Sequence, residues 1–209
     1  MLLGISGLAG SGKDTVANML IEESGFTKVS LADPLKRIAR DVYAFTDEQL
    51  WGPSEFRNGP DKRYPREDGS YLSPREALQK LGTEWGRECY RNTWVDLCIR
   101  TAQTLLEPAS IWDYNQKDGL HSRGFEVGIK GVAVPDVRFR NELAAIHGAG
   151  GKVIRVSRPG AGLGGLGGMH PSETEQASIS DQEFDFVVQN TGTLEDLRIE
   201  VRRCLSLLK

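Results

Sequence analysis

Gly7-Leu8-Ala9-Gly10-Ser11-Gly12-Lys13-Asp14-Thr15 has the residue types and spacing that grip a chain of phosphates. Closely spaced glycines let the backbone curl until successive N–H groups point inward at phosphate oxygens. The lysine adds a full charge that bridges two phosphates, and a helix opening after it adds the positive end of its dipole. Such a P-loop calls for a nucleoside triphosphate or a near relative. Gly10, Ser11, Gly12, Lys13, Asp14 and Thr15 are therefore the candidate residues for binding that triphosphate. The residue after the lysine is normally a Ser or Thr that ligates magnesium, and here it is Asp14, with Thr15 next. A carboxylate is a harder, charged ligand for Mg2+, directly or through water. Alternatively, Thr15 meets a phosphate and Asp14 holds the metal's water shell.

The loop works only between a strand and a helix. Leu2–Ser6 reads as a buried strand, and Thr15–Glu23 as a helix with Val16, Met19 and Leu20 on one face. Further strands are expected at Phe26–Leu31, Val127–Val134, Lys152–Ser157 and Phe184–Gln189. Between them the pattern predicts a helix from Asp33-Pro34 to Ala44, a capped start at Thr46, and a helix from Ser73 to Leu81. More helices are expected from Thr83, over Thr93–Leu106, over Arg138–His147, and from Thr193 to Leu208. Residues 109–126 read as a loop or an irregular hairpin. Alternating strands and helices imply an α/β fold, with a mostly parallel central sheet and helices on both faces. The whole of 1–209 is expected to be one domain, with a mobile polar excursion over about 52–71 and a flexible Gly-rich lid over about 158–175.

Lys plus Arg number 26 against 29 Asp plus Glu, a net charge of −3 that argues against a dedicated nucleic-acid or membrane-surface binder. Cys89, Cys98 and Cys204 form no CxxC pair, and the three histidines show no metal spacing. This points to reduced, mostly buried thiols in a cytoplasmic protein. No apolar run is long enough to span a bilayer, and the loop begins too early to leave room for a signal peptide. A homodimer is left open.

Four motifs occur in this order: Gly10-Ser11-Gly12-Lys13-Asp14-Thr15, Leu31-Ala32-Asp33-Pro34-Leu35-Lys36, Pro74-Arg75-Glu76-Ala77-Leu78-Gln79-Lys80-Leu81-Gly82-Thr83-Glu84 and Pro135-Asp136-Val137-Arg138-Phe139. Together they make the chain resemble the deoxynucleoside monophosphate kinases of tailed bacteriophages and prophages, over most of its length. The Asp after the loop lysine is part of that family's pattern. The resemblance implies a three-layer P-loop kinase fold and a reaction in which ATP phosphorylates a deoxynucleoside monophosphate. Both substrates are small molecules, and no nucleic acid or membrane takes part.

Phosphoryl transfer is mostly positioning and charge neutralisation. Lys13 would track the transferring group, and Asp14 or Thr15 would serve the metal. An acceptor phosphate needs cations of its own, and arginine's planar fork suits it. Arg87 and Arg138 are the first candidates to face the acceptor or the moving group. Lys36 and Arg37 are weaker ones, because adjacent helix residues do not share a face. Asp136, after an apolar strand, stands where P-loop proteins carry a second magnesium-linked acid. Asp33 reads either as an acceptor-orienting group or as a helix cap. The resemblance further implies that Arg158 closes over the donor phosphates, that Glu173 meets the acceptor sugar or base, and that Asn190 borders the adenine. A dephospho-coenzyme A kinase-like enzyme would share the loop and the Asp33 region, but not the Pro74–Glu84 and Pro135–Phe139 motifs. A non-catalytic nucleotide switch of the GTPase kind would need an Asn-Lys-x-Asp tetrapeptide, which does not occur.

Overall fold

The computed structural model describes residues 1–108, 110–122, 129–162 and 171–208, without the side chains of 171–173. In chain order the elements are β1 (Leu2–Ser6), α1 (Lys13–Ser24), β2 (Phe26–Lys28), α2 (Asp33–Tyr43), α3 (Asp47–Trp51), α4 (Ser54–Asn58), α5 (Pro74–Gln79), a π-helical stretch (Lys80–Arg87) and α6 (Thr93–Leu106). They continue as β3 (Trp112–Asn115), β4 (Gly119–Ser122), β5 (Gly131–Val137), α7 (Arg140–Gly148), β6 (Lys152–Ser157), α8 (Pro171–Ser178), a 3₁₀ turn (Asp181–Glu183), β7 (Phe186–Gln189) and α9 (Leu194–Leu207). The chain forms two compact units: Met1–Leu31 with Val95–Asn115 and Leu120–Lys209, and Ala32–Trp94 with Gln116–Gly119.

The first unit is built on a five-stranded sheet of order β2-β5-β1-β6-β7, with every neighbouring pair parallel. Side chains alternate across a strand, so each strand feeds two cores. Leu2, Val132, Val134 and Val153 pack with Cys98, Ala102 and Leu105 of α6 and Leu143 and Ile146 of α7. On the opposite face Leu3, Ile5, Ala133 and Ile154 pack with Val16 and Leu20 of α1 and Leu197 and Val201 of α9. The result is a helix–sheet–helix arrangement of three layers. The carboxyl ends of β1 and β5 are adjacent in the sheet, which is where a doubly wound sheet binds ligands.

The second unit is helical. Its core joins Ala39, Phe45, Leu50 and Ala77, with Tyr43, Tyr64 and Leu72 packed against them. Tyr43, Phe45 and Tyr64 form an aromatic triangle with ring centroids 5.3 to 5.8 Å apart. The polar stretch 52–71 carries local structure of its own. It contains α4, a bridge between Pro65 and Tyr71, and the buried Asp61.

Several boundaries differ from expectation for identifiable reasons. Helix α1 opens at Lys13, two residues early, because Gly12 takes the left-handed conformation (φ 97°) and serves as its N-cap. No break precedes Thr83: α5 runs on as a π-helix, because Gly86 admits the Trp94 ring where a Cβ would lie 2.3 Å from it. Strand β5 runs through Pro135 and Asp136 instead of ending before them. Residues 112–122 form the hairpin alternative, β3 with β4.

Candidate active site

Two consecutive features give the loop its shape. The Ser11 N–H donates to Leu8 O (3.0 Å), closing a turn, and Gly12 then starts α1 in the left-handed region. Lys13 becomes the first helical residue and is 9% exposed. Asp14 beside it is exposed and Thr15 half-buried. Ser11 is buried, and its Oγ has no hydrogen-bond partner among the described residues.

Asp136 is brought to Lys13 by a bulge. Strand β1 pairs Ile5 with Pro135 and then Ser6 with Val137, so the register skips Asp136. Pro135 lacks an N–H and suits a place where a ladder is interrupted. Asp136 itself has φ 67°, a conformation that Asp and Asn tolerate better than other side chains. Holding it there costs about 1–3 kcal/mol. The strained backbone sets Asp136 Oδ1 3.5 Å from Lys13 Nζ, and Oδ2 2.9 Å from Arg138 Nε. Burial pushes the Asp136 pKa up, but the charges of Arg138 and Lys13 outweigh it and hold the carboxyl below its ordinary value. Asp136 is thus a carboxylate flanked by two cations, and its Oδ1 is buried without a hydrogen bond among the described residues.

Other elements of the same unit brace this centre. Asn190, after β7, donates from Nδ2 to Ser11 O (2.8 Å). The Gly162 N–H donates to Ala9 O (2.9 Å), so the segment opened by the exposed Arg158 meets the loop backbone. Arg138 lies just before α7, outside the helix expected to include it, because Glu142 accepts the N–H groups of Arg138 (2.8 Å) and Phe139 (3.1 Å). The side chain of Glu173 and residues 163–170 of the expected lid lie outside the described residues.

The remaining candidates belong to the second unit. Asp33 is not a helix cap. Ala32 holds the N-cap position of α2, and Asp33, 2% exposed, accepts from Trp51 Nε1 (3.4 Å). Lys36 lies 5.7 Å from the centroid of the Trp51 ring, while Arg37 donates to Gln116 O (3.1 Å). Arg87 is the half-buried last residue of the π-helix.

Two arginines in this unit escaped the sequence reading. Arg57 of α4 donates to Gly52 O (3.1 Å), and its Nε is buried without a hydrogen-bond partner among the described residues. Arg75 of α5 donates to Asn58 Oδ1 (3.4 Å). Burial, and next the nearby charge of Arg75, lowers the pKa of Arg57. Only Arg75 stood in a recognised motif, and Arg57 carried no local signal.

Among the described residues no three His, Cys, Asp or Glu side chains cluster as a metal site. The oxygens offered near the loop are those of Asp14, Thr15 and Asp136. So few hard donors fit Mg2+, which keeps several waters and takes its other ligands from substrate phosphates. No described helix is long and apolar enough to cross a membrane.

No family model matches the chain. A protein of Acanthamoeba polyphaga mimivirus, provisionally named a deoxynucleotide monophosphate kinase, is 32% identical over 205 residues, covering 98% of this chain and 96% of that protein. Among solved structures, shikimate kinase from Aquifex aeolicus aligns with a TM-score of 0.51 at 12% identity, over 99% of this chain and 96% of its own. Dephospho-CoA kinase from Campylobacter jejuni aligns with a TM-score of 0.47 at 16% identity, over 100% and 97%.

Proposed function

The chain belongs to the deoxynucleotide monophosphate kinase family and is a phosphotransferase, and from that premise we propose that it moves the γ-phosphoryl group of ATP onto a deoxynucleoside monophosphate. The observation that carries the reading is the placement of Lys13. It is the first residue of a helix entered through a left-handed glycine, and its ammonium lies 3.5 Å from a carboxylate on the neighbouring strand.

The donor functions fall to the first unit. Loop N–H groups and Lys13 bind the β- and γ-phosphates. Asp136 holds the ammonium of Lys13 in place. Bound Mg2+, held by Asp14 or Thr15, supplies further neutralisation of the phosphate charge. Arg138, itself anchored on Asp136, is placed to meet charge on the transferring group. Asn190 serves ATP by bracing Ser11, and Arg158 covers the donor phosphates.

The acceptor functions fall to the second unit. Arg57 and Arg75 repel each other and, among the described residues, neither is ion-paired with a carboxylate, an arrangement that a phosphate dianion stabilises. Lys36, Arg37 and Arg87 add positive charge, and Asp33 orients the acceptor. A monophosphate oxygen is already nucleophilic at neutral pH, so no general base is required.

The test is ADP release by the purified protein with ATP, Mg2+ and one acceptor at a time, across the deoxyribo- and ribonucleoside monophosphates and dephospho-coenzyme A. The expected result is turnover that depends on a deoxynucleoside monophosphate. Turnover with dephospho-coenzyme A alone, or ADP release indifferent to any acceptor, would replace the proposal.

A further inference from the structure

A buried amide on α8 reaches the root of the phosphate loop. Gln176 is 1% exposed, and its Nε2 lies 3.2 Å from Ser6 Oγ, 3.0 Å from Gly7 O and 3.2 Å from Val137 O. A primary amide carries two hydrogens, so three acceptors in reach means that one N–H is shared. Ser6 and Val137 are cross-strand partners immediately after the skipped register, and Gly7 is the next residue of β1's chain. A bulge leaves the ladder disrupted at this point, and buried carbonyls need donors. Gln176 supplies them from an element distant in sequence.

The helix carrying the amide is itself held. Arg155 of β6 donates from Nη2 to Gln176 O (3.0 Å) and from Nη1 to Ile179 O and Asp181 Oδ1 (2.8 Å each). Arg140 donates from its N–H to Glu175 Oε1 (2.9 Å) and from Nη2 to Ser178 O (2.8 Å). The amide therefore sits on a clamped support and imposes its position on the strand ends.

We propose that Gln176 is a positioning residue for phosphoryl transfer. By donating to Gly7 O and Val137 O together, it sets the separation between the start of the phosphate loop and the residue next to Asp136. That separation fixes where Lys13 and Asp136 meet. The inference rests on the reading of Lys13 as the group that tracks the moving phosphoryl. Without the amide, two buried carbonyls lose a donor, and the strand ends part to recruit water. Displacement on the ångström scale lowers the chemical rate with little effect on ATP capture, which spreads over many loop N–H groups.

The test compares Gln176→Met, of similar length but without a donor, with Gln176→Glu and with Arg140→Gln, which loosens α8 but keeps the amide. Gln176→Met is expected to lower kcat about 10- to 100-fold while the KM for ATP changes by less than about threefold. Arg140→Gln is expected to lower the thermal midpoint while kcat stays near the wild-type value. Gln176→Glu should recover activity relative to wild type as the pH falls, because the protonated introduced carboxyl regains one donor. A folded Gln176→Met protein with wild-type kcat would overturn the proposal, as would a kcat loss in Arg140→Gln equal to that in Gln176→Met. Should Gln176→Met not fold, a pH profile of Gln176→Glu parallel to wild type overturns it equally. Each effect is a ratio to wild type on the same acceptor, or on ATP hydrolysis without one. An error in acceptor identity shows instead as a wild-type protein inactive on every monophosphate.

Discussion

Asn190 donates from Nδ2 to the carbonyl oxygen of Ser11 at 2.8 Å, a bond across 179 positions of sequence. The turn between the last strand and the last helix thereby holds the phosphate loop from behind. The same nitrogen would lie 2.5 Å from a Cβ placed on Gly12, so loop and brace approach as closely as a glycine allows. Gly12→Ala is expected to abolish ATP binding, since it meets both the clash and the unfavourable φ of 97°. Asn190→Ala should weaken ATP binding about tenfold while costing roughly 1 kcal/mol of stability. Titration with a non-hydrolysable ATP analogue and a denaturant midpoint check both.

Lys13→Ala is expected to leave a folded protein without measurable transfer. Asp136→Asn keeps a side chain that tolerates φ 67° but leaves Lys13 and Arg138 without their shared anion. Its kcat should fall about 100-fold or more. Near-normal kcat in Asp136→Asn would show that the carboxylate's charge is not used. Single-turnover kinetics separate this from an effect on binding.

Arg57→Ala and Arg87→Ala should each raise the acceptor KM about tenfold or more, the worth of a charged hydrogen bond, with the ATP KM within about twofold. Equal rises in both constants would remove that arginine from the acceptor site. Steady-state kinetics with each substrate varied in turn decide it.

Gly86→Ala puts a methyl group 2.3 Å from Cζ2 of the Trp94 ring, whose Nε1 donates to Gly82 O at 2.9 Å. The ring cannot withdraw without losing that bond. Overpacking of this kind costs about 1–3 kcal/mol and should appear as a lowered thermal midpoint.

Asp61 accepts from Arg63 Nη2 (2.7 Å), Arg63 Nε (3.0 Å), the Arg63 N–H (3.1 Å) and Gln49 Nε2 (3.0 Å). The Arg63 side chain foremost holds its carboxyl well below the usual carboxylate range, against the upward push of burial. The folded-state pKa lies below the unfolded one. The stability contributed is therefore complete above about pH 4 and is lost as the pH falls further. Asp61→Asn should be less stable than wild type at neutral pH and should lose less stability on acidification. Urea midpoints at about pH 3, 5 and 7 test this.

The phosphate loop, the strand order's parallel character and the capped helices were legible because they are written in local spacing. Glycines spaced around a lysine, and Thr46, Ser73 and Thr193 before their helices, act within a few residues. Asp136 was legible as an acid next to a strand, but not as a bulge. Pro135 looked like a strand end, and only pairing with Ile5 shows the strand passing through it. Asp33 read either as an acceptor-orienting group or as a cap, the latter because Asp-Pro begins helices, and its burial against Trp51 depends on a partner 18 positions away. Trp85 is 54% exposed, because the widened π-helix turns Gly86 toward Trp94 instead. Gln176 and Arg57 left no local trace, since what matters for each is a neighbour supplied by another element.

At position 136 the backbone and the chemistry act as two independent sieves. Glutamate passes the demand for negative charge but not for left-handed geometry, whereas asparagine and glycine pass the geometry and carry no charge. A saturation library selected for turnover should therefore retain a single letter there. The same library selected only for soluble expression should keep three.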